Sequence, residues 1–357
     1  MTARDPVIDL HSHWLAPAVV EHLARRSDPP RIARRGEGRA LIETAIGALS
    51  LDPQWFDIAY RLAHLDRHNV VHQLLSWPTT LNLEPVIGLD EALPLWRSIN
   101  DGFGAIVAAH PARFSGLAVL STADLDWSIT ELRRAHESLG LIGFVLPINA
   151  FGSTAGVHHL APLLREANRL GSHVYLHTGY AAATVPGQPT PVDRPEAPGL
   201  AWTLAGLHHF ASAFATVALS DALDDYPDLT VQIAMLAGAG AGALLYEQAL
   251  IAPARFGSVN PARLDRLWLD TGAIGQGPIA IRATLGLLGT DRVVFGSDYA
   301  PADDIGAVLA RVEQATPDIA SRRAVRFDNA RTLLARHGRT IPETVHTAIE
   351  GTPHVRI

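Results

Sequence analysis

Eight short apolar runs, each followed by a longer stretch of helical periodicity, constrain this chain more than any other feature. The runs are Val7 to Leu10, Val71 to Leu75, Ser115 to Leu120, Ile142 to Leu146, His173 to Leu176, Leu229 to Met235, Arg266 to Leu269 and Arg292 to Phe295. Between them lie amphipathic segments such as Asp90 to His110, Leu125 to Leu139, His158 to Leu170 and Ile279 to Leu288. Such alternation is the pattern of parallel βα units, whose strands are covered by helices and therefore read as continuous apolar runs. Eight units predict an α/β fold, a closed (β/α)8 TIM barrel over residues 1–340, with an open doubly wound sheet as the alternative.

Two interruptions and a tail stand outside the alternation. Residues 26–53, with Pro29-Pro30 and several Arg, read as an excursion between the first strand and its helix; 178–198 is Pro-rich and reads as a long loop of the kind that covers barrel active sites. Residues 341–357 read as a polar C-terminal tail.

Composition narrows the chemistry. With 48% hydrophobic and 18% charged residues, 357 residues can bury a large core, and a formal charge of −7 offers no footprint for nucleic acid or an anionic membrane. A small molecule is the expected partner, and the cytoplasm the expected location, since no signal core or membrane-length apolar run is found. The chain has no Cys, which removes disulfides, thiolate nucleophiles and zinc fingers. It also has no Lys, so a P-loop, a Schiff base and a carbamylated binuclear metal centre are excluded.

The polar residues that close the strands carry the functional signal. His11 and His13 lie two apart in Asp9-Leu10-His11-Ser12-His13, so on a strand they share a face about 6 to 7 Å apart and can reach one cation. His177 closes the fifth run and Asp298 follows the eighth, in Phe295-Gly296-Ser297-Asp298. In a parallel barrel these ends meet on one face. Together the four would make a mononuclear site suited to zinc, with manganese as the second choice. Asp298 is the candidate general acid/base. Asp9 shares the inward face and is a candidate for orienting a ligand. Trp14, Trp77 and Tyr180 follow strand ends and are candidates for lining a substrate pocket, while Arg194 in the long loop reads as a solvated charge.

At these residues the chain resembles the amidohydrolase superfamily, in its amidohydrolase-related branch with aminocarboxymuconate-semialdehyde decarboxylase and the resorcylate decarboxylases. The resemblance runs through Asp9-Leu10-His11-Ser12-His13-Trp14, Leu74-Leu75-Ser76-Trp77-Pro78, His177-Thr178-Gly179, Asp224-Asp225-Tyr226-Pro227-Asp228-Leu229, Phe295-Gly296-Ser297-Asp298-Tyr299 and the late helix from Asp328 to Leu334. It implies a barrel of the metal-dependent hydrolase type, with one divalent metal on His11, His13, His177 and Asp298, and Asp298 moving protons. It also implies a homodimer. One departure stands out. Such relatives carry a His at the end of strand six, where this chain has Met235 or Leu236, neither able to transfer a proton. His208 and His209 lie just before and read as packing or surface histidines rather than replacements.

The favoured reading is therefore hydrolysis of an ester, lactone or amide by metal-activated water, which needs only residues that are present. The alternative is non-oxidative decarboxylation of an aromatic or unsaturated carboxylic acid, with a hydratase as a variant on the same site. A degenerate barrel with a binding role is the third reading, motivated by Met235.

Overall fold

The computed structural model describes residues 5–36, 39–44, 47–81, 83–190, 196–272 and 277–344. Among them, eight strand positions follow one another in parallel: β1 (Val7–His13), β2 (Val70–Ser76), β3 (Phe114–Gly116 and Ala118–Val119, interrupted at Leu117), β4 (Gly143–Pro147), β5 (His173–His177), β6 (Thr230–Ile233), β7 (Leu267–Asp270) and β8 (Val293–Val294). Each overlaps one of the eight apolar runs. The sheet closes because β8 returns to β1. Leu10 N donates to Phe295 O at 3.0 Å, Asp298 N donates to His11 O at 2.9 Å, and Ser12 pairs with Tyr299. A closed barrel, not an open sheet, is the result.

Helices on the outside bury the apolar stripe that the sequence spaces at three to four residues. Leu89–Ala109 covers β3 with Leu95, Ile99, Phe103 and Val107 buried, and begins with Asp90 and Glu91 where carboxylates suit the helix dipole. Asp57, Asp124 and Asp304 cap helices Ile58–Arg67, Leu125–Glu137 and Ile305–Ala315 by accepting from Tyr60 N, Trp127 N and Ala307 N. No helix among the described residues is long and apolar enough to cross a membrane.

The stretch from 26 to 53 contains a small antiparallel sheet of Arg31–Arg34, Ala40–Thr44 and Gly47–Ser50. A short helix, Pro17–Arg25, precedes the sheet, and the helix Ile58–Arg67, which packs on β2, follows it. Residues 178–190 are irregular up to the helix Pro198–Phe214; Arg194 and the tail beyond 344 lie outside the described residues.

Candidate metal centre

The barrel is polar inside at its C-terminal mouth. β1 turns Asp9, His11 and His13 inward, β5 supplies His177, and the turn after β8 supplies Asp298, whose φ of 61° places it in the left-handed region. One donor atom from each of His11, His13, His177 and Asp298 falls within 4.8 Å of all the others. His11 Nε2 and His13 Nε2 are 3.2 Å apart, and each lies 3.2 Å from Asp298 Oδ1. Ligands at roughly 2.0–2.2 Å from a shared cation would be separated by such an edge.

The tautomers follow from the partners on the other side of each ring. Asp270 Oδ1 lies 2.8 Å from His11 Nδ1, and a carboxylate only accepts, so Nδ1 carries the proton. Ser76 Oγ donates to Ser12 O at 3.0 Å and so accepts from His13 Nδ1 at 3.2 Å. Thr79 Oγ1 donates to Thr178 O at 2.7 Å and so accepts from His177 Nδ1 at 3.0 Å. Every Nδ1–H is thus fixed outward and every Nε2 lone pair points to one place. His177 Nε2 is buried with no hydrogen-bond partner. Three lone pairs and a carboxylate oxygen converging at a largely buried site fit a divalent cation.

Electrostatics agree with this arrangement. Burial disfavours charge on His11, but the Asp270 and Asp298 carboxylates outweigh it and push His11 up to about 10. Burial lowers His13, and lowers His177 further, with the neighbouring imidazoles adding to the effect. For Asp298, burial opposes ionisation, yet His11 and His13 hold its carboxyl below the usual range.

The supports around the tetrad are specific. Asp270, at the end of β7, accepts from His11 Nδ1, Gln232 Nε2 at 2.7 Å, Gly272 N at 2.9 Å and Met235 N at 3.2 Å. Asp9 accepts from His11 N at 3.2 Å, Gln73 Nε2 at 2.7 Å, Ser297 N at 3.0 Å and Ser297 Oγ at 2.6 Å. The orienting carboxylate for a ligand ring is therefore Asp270; Asp9 meets backbone and the Gln73 and Ser297 side chains and ties β1, β2 and the Ser297-Asp298 turn together. Buried Arg61 donates to Gln73 Oε1 at 2.9 Å and to His13 O, with its guanidinium over the Tyr299 ring at 4.7 Å. Gly272 and Gly296 are required by the close approach of His11. A Cβ at Gly272 would stand 2.0 Å from His11 Nδ1, and one at Gly296 would stand 2.6 Å from His11 Cβ.

A cavity of about 430 Å³ opens above the tetrad. His13, His177, Asp298 and Met235 form its floor, and Leu81, Trp202, Pro301 and the hairpin residues Thr44 and Gly47 to Leu49 form its walls. The three aromatic residues expected to line it do not. Trp14 follows inward His13 by one residue and so points out, packing on Phe103 and Gly102 while donating to Phe56 O. Trp77 likewise follows inward Ser76, and with Tyr180 it lines a separate hollow of about 20 Å³. Sequence reasoning also missed Asp270, although a carboxylate closing an apolar strand was the same signal that singled out Asp298.

Met235 faces the cavity, and Leu236 is fully buried elsewhere. From Met235 to Gly240 all six residues have positive φ, between 50° and 90°. The four that are not glycine cost on the order of 1 kcal/mol each, so the packing around β6 over-determines this turn. His209 packs edge-on against Tyr180 and His208 is exposed; neither lines the cavity.

Residues 8–336 match the family profile described as amidohydrolase. The chain belongs to the amidohydrolase family. This amidohydrolase is 26% identical over 263 residues to 2-amino-3-carboxymuconate-6-semialdehyde decarboxylase of Dictyostelium discoideum, covering 70% of this chain and 68% of that one. It is 27% identical over 301 residues to gamma-resorcylate decarboxylase of Rhodococcus jostii, covering 77% and 86%. Its fold is similar to that of 5-carboxyvanillate decarboxylase from Novosphingobium aromaticivorans, solved with manganese and 4-hydroxy-3-methoxy-5-nitrobenzoic acid, with a TM-score of 0.69, 16% identity and coverage of 93% and 96%. The amidohydrolase is an enzyme, a hydrolase or carboxy-lyase of that superfamily.

Proposed function

We propose that this amidohydrolase is a non-oxidative decarboxylase of an aromatic or unsaturated carboxylic acid, using one divalent metal on His11, His13, His177 and Asp298. The carrying observation is the convergence of three Nε2 lone pairs and one carboxylate oxygen at the floor of a largely apolar cavity. The sequence favoured hydrolysis because Met235 stands where a proton-transferring His was expected. The relatives, named as decarboxylases, support the lyase alternative instead. Manganese in the neighbour of similar fold supports that metal, and an imidazole-rich donor set also suits zinc.

His11, His13, His177 and Asp298 would hold the divalent metal, which would supply positive charge for a substrate carboxylate at the cavity floor. The protein does the rest. Leu49, Leu81 and Trp202 cover the apolar body of the substrate and exclude water. Asp298, ionised at rest beside His11 and His13, takes up one proton from water before the substrate covers it and passes that proton to the carbon as the carbon–carboxyl bond breaks and carbon dioxide leaves. Met235 presents a thioether and transfers no proton, so the proton falls to Asp298.

The test is carbon dioxide release from hydroxylated benzoic acids by manganese- and zinc-loaded protein, beside hydrolysis of esters and lactones. Decarboxylation that is lost in Asp298→Asn supports the reading, whereas hydrolysis without carbon dioxide release overturns it. A homodimer is also proposed: Leu244, Leu250, Ile251 and Ile279 expose apolar side chains on the helices that follow β6 and β7, and sedimentation would show twice the chain mass.

A further inference from the structure

Asp270 does not end at His11. Its other oxygen, Oδ2, accepts from Gln232 Nε2 at 2.7 Å, and the same amide group also donates to Leu10 O at 3.0 Å. Two acceptors on that side fix which way the Gln232 amide faces, so Oε1 points down the barrel to His173 Nε2 at 3.3 Å. His173 Nδ1 then meets Thr230 Oγ1 at 2.8 Å, and Thr230 Oγ1 meets His337 Nε2 at 2.8 Å. His337 and Thr230 line a polar hollow of about 460 Å³ on the opposite face, with Arg169 and Arg336 at its edge. Thr230, His173, Gln232 and Asp270 are all buried.

The direction of the chain is forced. Gln232 Oε1 only accepts, so His173 donates from Nε2. Burial keeps His173 neutral, with its pKa down to about 3, so Nδ1 is a lone pair and takes the Thr230 hydroxyl proton. Thr230 Oγ1 also meets His337 Nε2 at 2.8 Å, at the rim of the hollow. Each donor points toward Asp270, and hydrogen bonds aligned in this way reinforce one another at low dielectric.

We propose that Gln232, His173 and Thr230 are positioning residues for His11, acting through Asp270, and that they tie the metal-facing mouth of the barrel to the hollow on its far side. The chain aims the Asp270 carboxylate at His11 Nδ1, which holds His11 in the tautomer that presents Nε2. This rests on the metal reading above. Orienting partners of metal-bound imidazoles commonly tune affinity by about 10- to 100-fold, and this chain extends that influence across the core.

The experiment is manganese affinity by chelator competition for the wild type, Gln232→Leu, Thr230→Val and Thr230→Ser, with thermal melting of each to follow folding. Gln232→Leu is expected to weaken manganese roughly 10-fold or more. Thr230→Val, close in shape, is expected to weaken it roughly threefold, with Thr230→Ser restoring the wild-type value. Nitrogen-15 shifts should give the Nε2–H tautomer at His173. Wild-type affinity in both Gln232→Leu and Thr230→Val, or an Nδ1–H tautomer at His173, would overturn the relay while leaving the metal site standing. A wild type that binds neither manganese nor zinc would instead remove the metal reading on which the relay depends.

Discussion

The two ends of the barrel both bury histidines, and they use them in opposite ways. At the N-terminal end His72 donates to Ala112 O at 3.0 Å and meets Ser115 Oγ at 2.9 Å, so both ring nitrogens are spoken for. His173 is equally satisfied between Thr230 and Gln232. At the C-terminal mouth His11, His13 and His177 are no less buried, but each has a partner outside the tetrad on Nδ1 alone, and the three Nε2 atoms converge with Asp298. Burial therefore does not separate a structural histidine from a ligand. The assignment of the second nitrogen does.

Breaking the C-terminal end should cost most. Asp298→Asn is expected to lower the decarboxylation rate by about 10²- to 10⁴-fold, the scale of a lost proton carrier, in steady-state assays with metal in excess. Asp270→Asn should leave the fold intact and weaken metal binding by about 10- to 100-fold, read by chelator competition, because the His11 ring loses the carboxylate that orients it. Gly272→Ala should act in the same direction by driving a methyl group into His11 Nδ1.

A change at His72, which lies outside the Thr230–His173–Gln232 chain, should alter stability and leave metal binding alone. His72→Leu is expected to cost about 1–3 kcal/mol in denaturant unfolding by orphaning Ser115 and Ala112, with unchanged metal content. Acid sharpens the contrast further. Burial lowers His72 to about 4 and His337 to about 4, against an ordinary value near 6.5. Between those values the unfolded chain binds more protons at these two positions than the folded one, so their contribution to stability should be flat above pH 6.5 and fall as pH drops toward 4. In His72→Leu that fall should be shallower when melting is followed across this window.

All eight strands were legible in the sequence because a strand covered on both sides must be apolar along its whole length, and only turns and amphipathic helices separate these runs. The tetrad was legible for a related reason, since charged or imidazole residues closing apolar strands have one common place to go. Asp270 obeys the same rule after Leu267-Trp268-Leu269, but the run was read as ending at Leu269. The walls of the cavity were not legible. Leu49 arrives on an antiparallel excursion and Trp202 on a helix after the Pro-rich loop, and neither placement is encoded in local periodicity. Trp14 and Trp77 followed ligand or ligand-supporting residues by one position, where strand alternation turns a side chain outward.

The central claim is that His11, His13, His177 and Asp298 hold a single divalent cation. Elemental analysis of purified protein after incubation with manganese or zinc and removal of excess tests it most directly, in the wild type beside His11→Ala/His13→Ala and His72→Leu. The account expects one metal per chain in the wild type and in His72→Leu, and essentially none in the double variant. Metal absent from the wild type, or retained by the double variant, would contradict it.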